Sequence, residues 1–217
     1  MSKVLVMLSG GLDSYTAAVL LKRSERLGAA LFVDYGQRAA TAEHAAVRTQ
    51  VKELEVELYT ERLSTYKDLP NTGGLIGEPL EDDATTEQLW VPARNALLYS
   101  VGAAHAEARG FSAVALGLNV EEGRDFADNT AGFLEAADRF IFIATAGKVR
   151  AEAPTVNLDK AAMIRRLTEL GCSLDSIYSC YRDSDRKGRM CGTCPGCKRL
   201  RAALTAAELD LSHRFRA

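Results

Sequence analysis

Two stretches of this chain hold residue types that do chemistry. Ser9-Gly10-Gly11-Leu12-Asp13-Ser14 puts two hydroxyls, a carboxylate and two adjacent glycines into six positions. Glycine lets the backbone come close to a ligand. A helix starting here leaves its first N–H groups without internal partners, at the positive end of the helix dipole. Those donors, with the hydroxyls of Ser9 and Ser14, suit a phosphate or pyrophosphate. An ordinary strand-to-helix turn with a Ser or Asp cap would use the same residues without a ligand. Two better-known nucleotide loops are excluded: no Gly-x4-Gly-Lys-Ser/Thr follows, and the glycines do not read Gly-x-Gly-x-x-Gly.

The second stretch is Cys180, Cys191, Cys194 and Cys197, spaced Cys-x10-Cys-x2-Cys-x2-Cys. A Cys-x2-Cys turn gives two thiolates to one ion without strain, and four soft ligands suit tetrahedral zinc. Gly192, Pro195 and Gly196 are the turn formers that a tight metal loop needs. A closed four-thiolate shell has no open position, so this zinc serves folding rather than chemistry. A redox pair or an iron–sulfur cluster are the alternatives. Cys172 stands apart as a small core residue. Around the cluster, Arg182, Arg186, Lys187, Arg189, Lys198, Arg199 and Arg201 form the one basic concentration, partly offset by Asp183 and Asp185. It reads first as a solvated surface and second as a contact for RNA, the thiolates or bound nucleotide. His44, His105 and His213 are scattered, and no Ser-His-Asp or Cys-His constellation is visible.

The elements that must hold these groups follow from the hydrophobic pattern. Lys3–Leu8 is an apolar run of strand length, and Tyr15–Arg23 has helical composition. Ala29–Gly36 is a second strand, 37–53 a helix, and 56–60 a short strand. This β-α-β-α-β rhythm predicts a parallel sheet with helices on both faces. Ligands collect at the carboxyl ends of such strands, where the Ser9–Ser14 loop and Asp34-Tyr35-Gly36 fall. Taken alone, Asp34 is more simply a turn or cap residue. Residues 64–89, with Pro70, Gly73, Gly74, Gly77, Pro79 and three consecutive acids, predict a long loop or mobile flap. A helix follows over 95–109, then a strand over 111–119, a polar loop, a helix over 131–144, a short strand over 149–153 and a helix over 160–170. The division is a nucleotide-binding α/β domain over 1–170 and a C-terminal helical, zinc-binding segment over 171–217.

The 217 residues are 47% hydrophobic and 26% charged, enough for one sizeable core. A formal charge of −2 gives no global basic field, so no stable nucleic-acid partner is expected. Nothing approaches the ~18 apolar residues of a membrane span, and Val4–Leu8 is too short for a signal core. The cytoplasm is the expected location, with no membrane partner.

The hexapeptide resembles the loop of the ATP pyrophosphatase (PP-loop) superfamily. That resemblance implies an adenine-nucleotide alpha-hydrolase-like, Rossmann-like (HUP) sheet. It implies ATP wrapped by Leu8, Ser9, Gly10, Gly11, Leu12, Asp13, Ser14, Tyr15, Thr16, Ala17 and Ala18, with Asp13 placing Mg²⁺ or the loop. A substrate oxygen attacks the α-phosphate, and a nitrogen or sulfur nucleophile opens the adenylate. Further motifs occur in one order: Val33-Asp34-Tyr35-Gly36-Gln37-Arg38, Val91-Pro92-x-Arg94-Asn95, Gly117-x-Asn119, Ser179-Cys180-Tyr181 and the cysteine cluster. Together they resemble the 7-cyano-7-deazaguanine (preQ0) synthase family of queuosine biosynthesis over essentially the whole chain.

The family implies that ATP activates 7-carboxy-7-deazaguanine, that ammonia makes the amide, and that a second ATP converts the amide to the nitrile. It implies Zn²⁺, ATP and Mg²⁺, and a tendency to homodimers. With no room for a glutaminase domain, free ammonia is the expected nitrogen source. On this basis Asp13, Ser14, Arg94 and Lys160 are assigned to catalysis. Asp34 and Arg38 are assigned to the nucleotide, and Arg94, Asn119 and Asp128 to the acid. One stretch departs from the pattern: where the family reads close to Tyr-Pro-Asp-Cys-Arg, this chain has Phe126-Ala127-Asp128-Asn129-Thr130. Trp90 and Ala93 also replace the more usual Tyr and Gly beside Arg94. A diverged paralogue that activates a related acid or uses another amine therefore stays open. So do a tRNA-thiolating PP-loop enzyme and a non-catalytic nucleotide-binding module.

Overall fold

The computed structural model describes residues 2–70, 72–77, 81–186 and 188–216; Pro79 and Lys187 lie outside them. Strand β1 (Val4–Met7) is buried at every position because both of its faces are covered. Val4 and Val6 enter one core and Leu5 and Met7 the other. The chain continues through α1 (Leu12–Arg23), β2 (Leu27–Asp34), α2 (Ala40–Leu54), β3 (Glu57–Arg62), α3 (Thr86–Leu89) and α4 (Arg94–Arg109). It ends with β4 (Ala113–Ala115), α5 (Glu122–Asp125), α6 (Ala131–Ala144), β5 (Arg150–Glu152), α7 (Lys160–Glu169) and α8 (Pro195–Ala206). Residues of α1, α2, α7 and α8 fill one core, and residues of α4 and α6 fill the other.

All strand pairings are parallel, in the order β3-β2-β1-β4-β5. The chain builds outward from β1 through β2 and β3, then returns to the other side for β4 and β5. The direction of winding switches between β1 and β4, and a crevice opens outside the carboxyl ends of strands at such a point. Both the Ser9–Ser14 loop and Gly117 lie there. A Cβ on Gly117 would sit 2.5 Å from the backbone of Asp13 and Ser14. Only glycine lets the end of β4 press against the first turn of α1. The strand expected over 111–119 is regular only over Ala113–Ala115.

Residues 64–89 correct the expectation of a plain loop. Tyr66, Leu75 and Leu89 bury themselves with Val91 in a satellite core. The Tyr66 hydroxyl donates to the Pro92 carbonyl at 2.8 Å, and Thr85 and Gln88 close a capping box on α3. The C-terminal segment has no core of its own among the described residues. Leu200, Ala203 and Leu204 of α8 join the same apolar cluster as Val4, Val6 and Leu21, so one core runs across position 170.

Candidate active site

Gly10 holds φ +84°, the left-handed region that glycine alone enters without strain. A Cβ here would meet both Ala46 and the Glu43 carbonyl at 2.9 Å. The Gly10 carbonyl is fixed by the Tyr178 N–H at 2.9 Å and the Gln50 amide at 2.9 Å. Gly11 then opens α1, and no side chain caps that helix end. Its first N–H groups face a cavity of about 210 Å³. Two smaller pockets, of about 10 and 20 Å³, lie elsewhere, and the second adjoins the cavity through Arg94, Glu122 and Tyr181.

At the first turn of α1 lies an ion cluster centred on the buried Lys160. The Lys160 ammonium donates to both Asp13 oxygens, at 3.1 and 2.8 Å, and pairs with Glu122 at 2.9 Å. Lys160 is placed by its position at the start of α7, where its backbone N–H donates to Glu121 and Asp159 caps the helix. Burial pushes Asp13 above the ordinary carboxylate value, further than Lys160 pulls it back. Burial works on Glu122 in the same sense, but Lys160, Arg199 and Arg94 hold it below its ordinary value. Lys160 stays charged, because the two carboxylates outweigh its own desolvation. Arg94 and Arg199 line the same cavity. Three cations thus converge on the mouth of α1, as a polyphosphate requires.

Of the residues assigned from the sequence, Leu8, Ser9, Gly11, Leu12, Asp13, Ser14, Arg94 and Lys160 line the cavity. Gly10 shapes the loop from beneath. Tyr15 turns away to donate to Glu53 at 2.7 Å, the Thr16 hydroxyl donates to the Leu12 carbonyl, and Ala17 and Ala18 are core. Asp34 pairs with Arg62 at 3.0 Å and accepts from the Gly36 N–H, and exposed Arg38 donates to the Gly77 carbonyl. Neither lines the cavity. Asn119 is fully buried, and its oxygen accepts the Glu122 N–H at 2.9 Å, so it places Glu122. Asp128 lines a small adjoining pocket with Arg94, Trp90 and Phe126, whose rings lie 6.3 Å apart and nearly parallel. In the departing stretch, Thr130 caps α6 and Asn129 donates to Asp128.

Several lining residues carry no site assignment from the sequence: Glu43, Glu122 and Tyr178; Gln37 and Tyr181, which stand in the quoted motifs; and Arg199, whose basic group reads first as solvated surface. Helical spacing carried a signal for Arg199. It lies two residues after Cys197 and one before buried Leu200, on a helix whose other face is core.

The four cysteines meet the geometric test for a metal. All four sulfurs lie within 4.8 Å of one another and are buried. The Cys191–Cys197 and Cys180–Cys194 separations are 3.8 and 4.0 Å, against about 3.8 Å for the edge of a tetrahedron with Zn–S bonds of about 2.3 Å. Backbone N–H groups of Arg182 and Cys191 point at the Cys180 sulfur at 3.4 Å, and that of Cys194 at Cys191 at 3.3 Å. The same segment walls the cavity with Tyr178, Ser179 and Tyr181. Cys172 is partly buried against the core.

Among the described residues, no helix is long and apolar enough to cross a membrane. The solved NMN synthetase from Francisella tularensis shares the fold, with a TM-score of 0.52 at 15% identity over 98% of this chain and 80% of its own. Three proteins named 7-cyano-7-deazaguanine synthase are much more similar in sequence. That of Desulforudis audaxviator is 36% identical over 94% of this chain and 97% of its own length. Those of Methanothermobacter thermautotrophicus and Bdellovibrio bacteriovorus are 35% and 33% identical, over 96% and 99% of this chain and 96% and 97% of their own lengths. The model of the queuosine biosynthesis protein QueC matches residues 3–208. With the parallel sheet, the phosphate-loop cavity and the four-cysteine knuckle in agreement, this chain belongs to the QueC family of queuosine-biosynthesis enzymes.

Proposed function

We propose that this protein converts 7-carboxy-7-deazaguanine to 7-cyano-7-deazaguanine with ATP and ammonia. The observation that carries this is the uncapped start of α1 facing Lys160, Arg94 and Arg199 in one cavity, within a chain of this family. The ATP phosphates lie against the Ser9–Ser14 loop. The first α1 N–H groups and Lys160 stabilise the charge that develops as pyrophosphate leaves. A carboxylate or amide oxygen is a poor leaving group, and its adenylate leaves readily. Arg94 orients the acid, which presents its N–H edge to Asp128. Asp13 and Glu122, hard oxygen donors beside the loop, would hold Mg²⁺, which supplies further charge neutralisation on the phosphates. The four cysteines would hold a structural Zn²⁺ that keeps Tyr178–Tyr181 against the phosphate loop.

The exposed Phe140, Phe142 and Ile143 at the end of α6 support a homodimer that covers them. The test is incubation with ATP, ammonium and the acid, followed by mass spectrometry. The nitrile is the expected product. Absence of both amide and nitrile overturns the assignment. A related deazapurine acid is the second reading, favoured by the absence of Cys and Arg from the Phe126–Thr130 stretch. A panel of such acids, scored by product mass, separates the two.

A further inference from the structure

Glu43 lies in the first turn of α2, and its carbonyl forms part of the seat into which Gly10 fits. Glu43 is part of the cavity wall, and the ion pairs of Lys160 with Asp13 and Glu122 do not include it. Gln37 holds it there. The Gln37 amide donates to the Val33 carbonyl at 3.2 Å and to Glu43 Oε2 at 2.8 Å, while its own oxygen accepts the Tyr35 N–H at 2.9 Å. Every polar group of the Gln37 side chain is thus committed, and it works as a fixed pointer. Glu43 Oε1 makes no hydrogen bond among the described residues. A carboxylate with one oxygen pinned and the other free toward a cavity is arranged to exchange a proton.

We propose that Glu43 is the general base that takes the proton released when nitrogen displaces AMP. This rests on the reading of the reaction given above, which has two such steps. In the first, the C–N bond forms at the acyl carbon, the C–O bond to AMP breaks with its electron pair going to AMP, and the nitrogen gives one proton to Glu43. In the second, the amide nitrogen gives one proton to solvent as its oxygen is adenylated, and the imidoyl nitrogen gives the remaining proton to Glu43 as the C–O bond to AMP breaks, its electron pair going to AMP, and the nitrile forms. Glu43 returns each proton to solvent through the open mouth. The activation half of each cycle, in which pyrophosphate leaves, involves the α1 mouth and Lys160 and does not need Glu43.

The groups facing Glu43 favour this use. Burial pushes its carboxyl up to about 7, against the opposing pull of Gln37 and Arg94 and with the help of Asp34; Tyr35 is the other titratable neighbour. A base in that range takes a proton at neutral pH and releases it again.

The test uses the full-length protein and Glu43→Gln, which keeps shape and hydrogen bonding. Acid-dependent exchange of labelled pyrophosphate into ATP reports activation, and amide formation reports nitrogen attack. Glu43→Gln is expected to retain exchange within about threefold while amide formation falls by about 10²–10⁴-fold. At a fixed concentration of free NH3, the rise of wild-type amidation with pH through about 7 should vanish with it. Hydroxylamine, unprotonated at neutral pH, should restore product formation in the variant, and Glu43→Asp should recover part of the rate. Amidation at the wild-type rate overturns the proposal, as does loss of exchange in parallel with amidation. If wild-type protein shows no exchange with this acid, the substrate assignment fails instead. Glu43 is then judged by infrared difference titration of wild type against Glu43→Gln: a carboxyl band titrating near neutrality and missing from the variant supports it, and none overturns it.

Discussion

At the mouth of α1, an ammonium lies between two carboxylates; at the C-terminal knuckle, four sulfurs face one another with no cationic side chain among them. Both clusters are buried, yet they differ in how charge is balanced. Lys160 offsets much of the charge of Asp13 and Glu122 within the chain, so this region assembles without a ligand. The sulfurs have one another, backbone N–H groups and the Thr193 hydroxyl, and among the described residues no salt bridge within the cluster balances them. Contacts from Cys194 and Cys197 hold Cys180 below the ordinary thiol range, and the same contacts push Cys194 and Cys197 up. All four can ionise together only around an external cation. A site that must exchange ligands carries its own counter-charge, whereas a site that must never open borrows one.

The largest effect should come from the knuckle. Cys197→Ala removes a fully buried ligand and should cost about 5 kcal/mol or more, with metal content falling from one zinc per chain to none. Thermal unfolding and elemental analysis measure this, and an unchanged melting temperature would break the contrast. Next, Lys160→Met strands two buried carboxylates. It should destabilise by about 3–5 kcal/mol and lower turnover by about 10³-fold. Adding Asp13→Asn should return part of the stability and none of the activity, because one of the two stranded carboxylates is removed while the Lys160 cation stays missing.

Glu43→Gln should stabilise the protein at and above neutral pH by up to about 3 kcal/mol. The native carboxyl lies near 7, above its ordinary 4.5, so the folded state binds the extra proton between those values. Its contribution is complete below 4.5 and is lost as pH rises through about 7. Denaturant unfolding at pH 5 and pH 8 should show the variant's advantage only at the higher pH.

Smaller still, Ala93→Gly should gain about 1 kcal/mol, since Ala93 leads into Arg94 at φ +52°, a conformation costly for a residue with a Cβ. This gives a physical reason for the glycine more usual at that position. Smallest of all, Arg38→Ala should change KM for ATP by less than about twofold and stability by under about 0.5 kcal/mol, as an exposed surface substitution. A tenfold rise in KM would move the nucleotide outward, past the cavity described.

The regular elements were legible because their apolar residues repeat with the period of the structure they form. β1 reads as one apolar run since both faces are covered, and α6 starts at Thr130 because a hydroxyl caps it. The 64–89 segment is a loop up to α3, as its composition predicts, but its packing is not legible, for the converse reason. Tyr66, Leu75 and Leu89 are spaced with no period, while the prolines, glycines and acids between them signal a loop. Glu43 and Glu122 were passed over because a carboxylate on a polar helix end is usually solvated. Only the cavity wall makes them otherwise.

Sequence by itself determined the local chemistry: the double glycine before a helix, the Cys-x2-Cys-x2-Cys knuckle and the alternation of strands and helices. Each is fixed by residues near one another in the chain, through backbone freedom, ligand spacing and hydrophobic period. Tertiary structure alone decided which distant charges meet. Lys160 reaches Asp13 across 147 positions, Tyr178 pins Gly10, and Glu43 turns inward while Asp34 turns outward. Such pairings depend on how the parallel strands order themselves and on a glycine at 117 that lets β4 touch α1. No local pattern encodes a contact made by the packing of elements far apart in the chain.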